Sequence, residues 1–167
     1  MKTVVIGLGN PILTDDGVGV KAARLLTARL QEREEVDVLE LHAGGLRLLD
    51  GMAGYQRAFL IDATVAGDCP PGTVRALTLA ECGRTRNMAC SHDTALLPAL
   101  AMGDLLGCPL PAEIRIWGVE AADVETFGEE LTPPVAAALP EVVELVMAAL
   151  AAEPMGRSSM AGARERQ

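Results

Sequence analysis

Lysine occurs only at positions 2 and 21 and histidine only at 42 and 92, in a chain of 167 residues with a formal charge of −9. Such a balance speaks against a nucleic-acid partner, because phosphate contacts run through Lys and Arg. The four cysteines, at 69, 82, 90 and 108, form no CxxC pair and no metal-finger spacing. They read as free thiols in a reducing cytoplasm. No uninterrupted apolar run approaches the roughly 20 residues that cross a bilayer, so no membrane partner is expected. The opening Met1-Lys2-Thr3-Val4-Val5-Ile6-Gly7 has one Lys and turns after a few apolar residues. That reads as a first strand and not as a signal peptide, which gives a cytoplasmic expectation. Ile12 stands where a dinucleotide fingerprint has its third glycine, and no GxSxG frame surrounds Ser91. A Rossmann cofactor site and a serine nucleophile are therefore not expected.

What is present fits one compact domain. Half of the residues are apolar in a 17.5 kDa chain, and a chain of this size buries about 70% of its unfolded surface without disulfide staples. Short β-branched runs alternate with longer helical repeats, the pattern of an α/β sheet. Strands are expected at residues 3–7, 36–41, 58–62 and 113–119. A further edge strand at 73–79 is expected to form a hairpin with the strand before it. Helices are expected at 16–31, with Val18, Ala22, Leu25, Leu26 and Leu30 on one face, and at 45–52, 93–106 and 134–152. Pro98 is expected to limit or kink the third of these. Residues 81–90 lack periodicity and read as a loop. The domain is taken as 1–152, and 153–167, small, polar and charged, as a disordered tail.

Three polar residues fall where an open parallel sheet gathers its chemistry, beyond the carboxyl ends of its strands. Asp16 follows the first strand by a short turn. Asp62 is expected to end the third strand, and His92 lies in the loop before the next helix. Two carboxylates and an imidazole suit a divalent cation and leave positions open for water or substrate. Without a metal, two close carboxylates share a proton, which suits acid–base work on water. Sequence spacing leaves both possibilities open, and Asp16, like Asp15, equally fits a helix cap. Gly7 and Gly9 permit a tight turn that Asn10 locks through its side chain. His42 follows the second strand and is a possible addition to the same edge.

The segment Gly7-Leu8-Gly9-Asn10-Pro11-Ile12-Leu13-Thr14-Asp15-Asp16-Gly17-Val18-Gly19 resembles the GxGNxxxxDDGxG signature that opens the nickel–iron hydrogenase maturation endopeptidases. The similarity continues in order through Leu60-Ile61-Asp62-Ala63, Ser91-His92 and Phe127-Gly128-Glu129-Glu130-Leu131-Thr132-Pro133, covering about residues 1–150. The opening motif is specific, and the later matches gain force from their order. The resemblance implies a three-layer α/β sandwich: a twisted, mostly parallel sheet with one antiparallel edge strand and helices on both faces. It also implies a hydrolase, an aspartyl-protease-like endopeptidase that removes the C-terminal extension of a hydrogenase large-subunit precursor after nickel insertion. The family's three metal-contacting positions fall on Asp16, Asp62 and His92, as catalytic and metal-reading residues. No tightly bound cofactor is implied. Nickel comes with the precursor, and zinc or cadmium are surrogates.

The sequence departs from relatives at Leu41-His42-Ala43-Gly44-Gly45, where a Gly-Gly-Thr-like turn is common, and at Asp93-Thr94, where Gln is frequent. These departures bear on which precursor is recognised more than on the reaction. Two alternatives use the same residues differently. One is a non-catalytic nickel-binding or chaperone module, since ligands serve binding as well as catalysis. The other is a peptidyl-tRNA hydrolase-like esterase, which shares a GLGNP-like turn. The acidic chain and the missing histidine-bearing segment after that turn count against the latter.

Overall fold

The computed structural model describes residues 1–42, 44–88 and 96–152. His92, the start of the expected third helix and the expected disordered tail lie outside the described residues. The order is β1 (Thr3–Leu8), a 3₁₀ turn (Thr14–Gly17), α1 (Val18–Arg29), β2 (Val36–Leu41), α2 (Leu46–Met52) and β3 (Arg57–Thr64). Then come β4 (Val74–Leu77), a second 3₁₀ turn (Leu79–Arg84), α3 (Leu96–Leu105), β5 (Glu113–Glu120) and α4 (Pro133–Ala151).

The five strands lie in the order β2-β1-β3-β5-β4. All pairs are parallel except β4 with β5. The central strands are buried on both faces, as their near-continuous apolar runs require. Successive side chains of β3 alternate between two cores. Phe59, Ile61 and Ala63 join Val18, Ala22, Leu26, Val142 and Val146 beneath α1 and α4. Ala58 and Leu60 join Leu48, Met52 and Leu96 beneath α2 and α3. The result is the expected three-layer sandwich, with Phe59 and Trp117 edge to face at 5.4 Å in the first core.

Several expectations are corrected. Strand β4 pairs with β5 and not with its predecessor, because β3 already has β1 on one side and β5 along its full length on the other. Strand β3 does not end at Asp62 but continues through Thr64. Leu25, assigned to the buried face of α1, is 45% exposed. The buried stripe is Val18, Ala22, Leu26 and Leu30, an i, i+4 series that places Leu25 off its centre. Within residues 81–90 the structure forms a 3₁₀ turn, closed by a capping box between Thr78 and Glu81. Pro98 lies in the first described turn of α3, where its missing N–H is tolerated. By composition α4 is apolar enough to span a bilayer, with a mean hydropathy of 1.7. Its Val135, Val142, Val143 and Val146 are instead spent on the core with α1.

Candidate active site at the β1/β3 switch point

The chain leaves β1 to one side for β2, and β3 lies on β1's other side. Such reversals open a crevice at the carboxyl ends of the two strands. Strand β1 pairs with β3 only as far as Gly7 opposite Ile61, whereas β5 accompanies β3 to Thr64. Asp62 is therefore the first residue of β3 beyond its β1 ladder. A strap takes over on that side: Thr85 bridges to Thr64, and the Arg86 amide donates to the Ala63 carbonyl at 2.8 Å.

Glycine decides how closely Asp16 can approach. A Cβ on Gly7 would sit 2.1 Å from the Gly19 carbonyl oxygen, so β1 and the first turn of α1 are in backbone contact. Gly9 has φ +137°, and a Cβ there would lie 1.8 Å from the Asp16 carbonyl oxygen. Only glycine fits such a backbone. Asn10 behaves as expected of a turn lock, its Oδ1 accepting from the Ile12 amide at 3.2 Å.

Asp15 and Asp16 are adjacent, both buried, and differently employed. Asp15 accepts from the amides of Ala122, Asp123 and Thr132 at 2.7–3.0 Å and from the Thr132 hydroxyl at 2.8 Å. It pins the loop between β5 and α4 and is a structural residue. Asp16 makes no helix cap: neither the 3₁₀ turn nor α1 has a side-chain cap bond. Its Oδ2 accepts from the Asn10 amide at 2.9 Å, and its Oδ1 accepts from Asn87 Nδ2 at 2.9 Å.

The same Asn87 nitrogen donates to Asp62 Oδ1 at 2.8 Å. Asp62 Oδ1 also accepts from the Ala63 amide at 2.9 Å, and Oδ2 from the amides of Asn87 and Met88 at 3.0 and 3.2 Å. Full burial raises the Asp62 pKa to about 6. Hydrogen bonds from Asn87 act against that rise, and the nearby Asp16 charge adds to it. Such a carboxyl exchanges its proton near neutral pH, the property a general base needs.

Two of the expected residues, Asp16 and Asp62, thus meet through a third. His42 is exposed, and its Nδ1 is 2.9 Å from the Gly9 carbonyl oxygen. A carbonyl can only accept, so Nδ1 is the donor in this bond. His42 braces the turn, and it forms no three-ligand group with the two carboxylates among the described residues. Sequence reasoning missed Asn87, an amide in a segment without periodicity, and no one-residue signal marks it.

A second acidic grouping, Asp68, Cys69 and Glu120, brings its potential ligand atoms within 4.8 Å of one another. Its carboxylates are already engaged. Asp68 accepts from Arg75 and Arg84 at 2.8 and 2.7 Å, and buried Glu120 accepts from the Thr64 hydroxyl and the Gly67 amide at 2.5 and 2.6 Å. This is an ion-pair cluster. Cys69, Cys82 and Cys108 are free thiols, as expected. Burial pushes the Cys82 thiol up to about 11, which removes it as a nucleophile.

Comparison with known proteins identifies the family and the fold. A family model described as hydrogenase maturation protease matches residues 20–149, a span that holds Asp62 and Asn87 and begins after Asp16. The chain is 30% identical over 151 residues to the hydrogenase 2 maturation protease of Escherichia coli K12, covering 90% of this chain and 91% of that protein. It is 29% identical to the hydrogenase expression/formation protein HupM of Azotobacter chroococcum mcd 1, covering 89% of this chain and 71% of that protein. The solved structure of the hydrogenase maturating endopeptidase HybD from E. coli superposes with a TM-score of 0.74 at 29% identity, covering 90% of this chain and 93% of that one. The peptidyl-tRNA hydrolase alternative falls away. By sequence and by architecture, the chain belongs to the hydrogenase maturation protease family and is an endopeptidase of that family.

Proposed function

We propose that this endopeptidase removes the C-terminal extension of a nickel–iron hydrogenase large-subunit precursor once nickel has been inserted, and that it reads the precursor's nickel through Asp16, Asp62 and His92. The observation that carries the proposal is the meeting of Asp16 and Asp62 on one amide nitrogen, 2.9 and 2.8 Å away, at the sheet's switch point. Two buried carboxylates, with no cationic side chain on either among the described residues, make a receptive place for a divalent ion. His92 joins them by its position in the motif. The metal belongs to the substrate, and the protease needs no resident cofactor.

In this scheme the metal held by the precursor docks against the carboxylates and polarises the scissile carbonyl or a bound water. Water attacks the carbonyl carbon and gives its proton to a carboxylate of the pair, which passes that proton to the leaving amine as the C–N bond breaks. No acyl-enzyme forms. Nickel then acts as a checkpoint, because an empty precursor presents no ion for the site to grip.

The test is cleavage of nickel-loaded and nickel-free precursors by the purified protein, read by electrophoresis and mass spectrometry. A single C-terminal cut only with nickel is expected, lost in His92→Ala with the fold intact. Equal cleavage of both precursors would remove the nickel-reading role. Binding to loaded precursor without a cut would favour the metal-escort alternative.

A further inference from the structure

A carboxylate offers about four lone-pair directions, and at Asp62 all four are taken. Ala63 N–H and Asn87 Nδ2 lie on Oδ1, and the amides of Asn87 and Met88 on Oδ2. Among the described residues Asp16 receives one N–H on each oxygen. A cation reaches Asp62 only if one of the four donors leaves.

Three of those donors are backbone amides on chain that is held in place. Ala63 lies within the β3–β5 ladder. The strap bearing Asn87 and Met88 is bonded to β3 through Arg86 N–H. A Cβ on Gly44 would lie 2.3 Å from the Asn87 carbonyl oxygen, so the strap packs closely against that turn. The fourth donor, the Asn87 carboxamide, hangs on two rotatable side-chain bonds and is only part-buried. It also stands at the point on which Asp16 Oδ1 and Asp62 Oδ1 converge.

We infer that the Asn87 carboxamide is a displaceable plug, which ties Asp16 to Asp62 and must be turned out by the cation that takes its place. The inference rests on the assignment of the two carboxylates to the metal carried by the precursor. Its consequence is selectivity. A free divalent cation has to break two hydrogen bonds to carboxylates to enter, whereas a precursor-borne cation arrives with the contacts of a docked protein. Asn87 thus biases the site against stray ions and toward metal presented by the substrate. A purely structural Asn87 predicts the opposite result on removal: the carboxylates would part and cation affinity would fall.

The experiment is calorimetric titration of Cd²⁺ into the purified full chain and into Asn87→Ala, Asn87→Ser and Asp16→Asn, the last of these subtracting binding by Cys69 and Cys108. Both Asn87 variants are expected to bind Cd²⁺ at least about tenfold more tightly than the parent, the worth of one of the two hydrogen bonds to a charged group. In the parent, the Asn87 side-chain NH₂ resonances should shift during a ¹⁵N-edited titration. Unchanged or weaker binding in the soluble Asn87 variants would overturn the plug. So would binding in the parent that leaves those resonances unmoved, a measurement that needs no variant to fold. If parent and Asp16→Asn titrate identically, the metal-reading assignment fails, and the plug with it.

Discussion

Strand β3 buries an ionisable group at each end, and the two ends handle it differently. At its start Arg57 is 3% exposed, donates from Nε to Glu113 at 2.9 Å and from Nη2 to the Ala149 carbonyl at 2.8 Å, and lies 4.7 Å from the centre of the Phe59 ring. Every charge there meets its opposite. Near its other end Asp62 is fully buried beside a second acid, and its partners are four N–H groups with no cation among them. A buried charge with a built-in counter-charge holds the fold; one without carries a penalty that only a ligand or a proton relieves. The contrast separates the end of the strand whose buried charge is neutralised from the end whose buried charge is not.

Breaking the compensated end should have the largest effect on stability. Arg57→Ala strands Glu113 in the interior, and loss of about 3–5 kcal/mol is expected from removing one partner of a buried pair. Denaturant unfolding measures it, and precursor cleavage by the folded fraction should persist. A loss below about 1 kcal/mol would mean that Arg115, which already donates to the other Glu113 oxygen at 2.5 Å, takes over the pairing.

The uncompensated end should reveal itself through pH. The folded pKa of Asp62, about 6, lies above the ordinary 3.8, so the folded state holds this proton more tightly than the unfolded chain does. Its stabilising contribution is complete below pH 3.8 and is lost as pH rises through about 6, an interval worth about 3 kcal/mol. Stability followed from pH 4 to 7 should therefore decline relative to an Asp62→Asn variant, which has no proton to lose at that position. Parallel curves for the two proteins would show that the N–H donors already hold the carboxylate ionised throughout.

The smallest effect is expected where the same chemistry is solvent-exposed. Arg24 and Glu40 form a 3.0 Å ion pair with side chains 54% and 36% exposed. Arg24→Ala should change stability by less than about 1 kcal/mol, with a loss that shrinks in added salt. A change as large as that at Arg57 would undo the argument that burial decides the weight of these pairs.

The sequence carried the layers of the fold in its periodicities. The i, i+4 stripe through Val18, Ala22, Leu26 and Leu30 and the unbroken apolar runs of β1 and β3 are local patterns, set by where a helix or a doubly covered strand must place its apolar side chains. Asp16 and Asp62 were legible as well, one by the turn it follows and the other as an acid at the end of a Phe-Leu-Ile run. The partner of β4, the extension of β3 past Asp62 and the exposure of Leu25 were not, because each depends on which side of an element its neighbours occupy.

By itself, then, the amino-acid sequence determined the element types, the order of the chain, the glycines at 7 and 9 and the two acids, all of which are properties of short segments. Only the tertiary structure decided that Asp15 anchors the loop between β5 and α4 while Asp16 faces Asp62, two fates for adjacent identical residues. It alone brought Asn87 between the carboxylates. The reason is geometric: which lone pairs remain open depends on donors supplied by distant strands, loops and turns, and local sequence does not record their convergence.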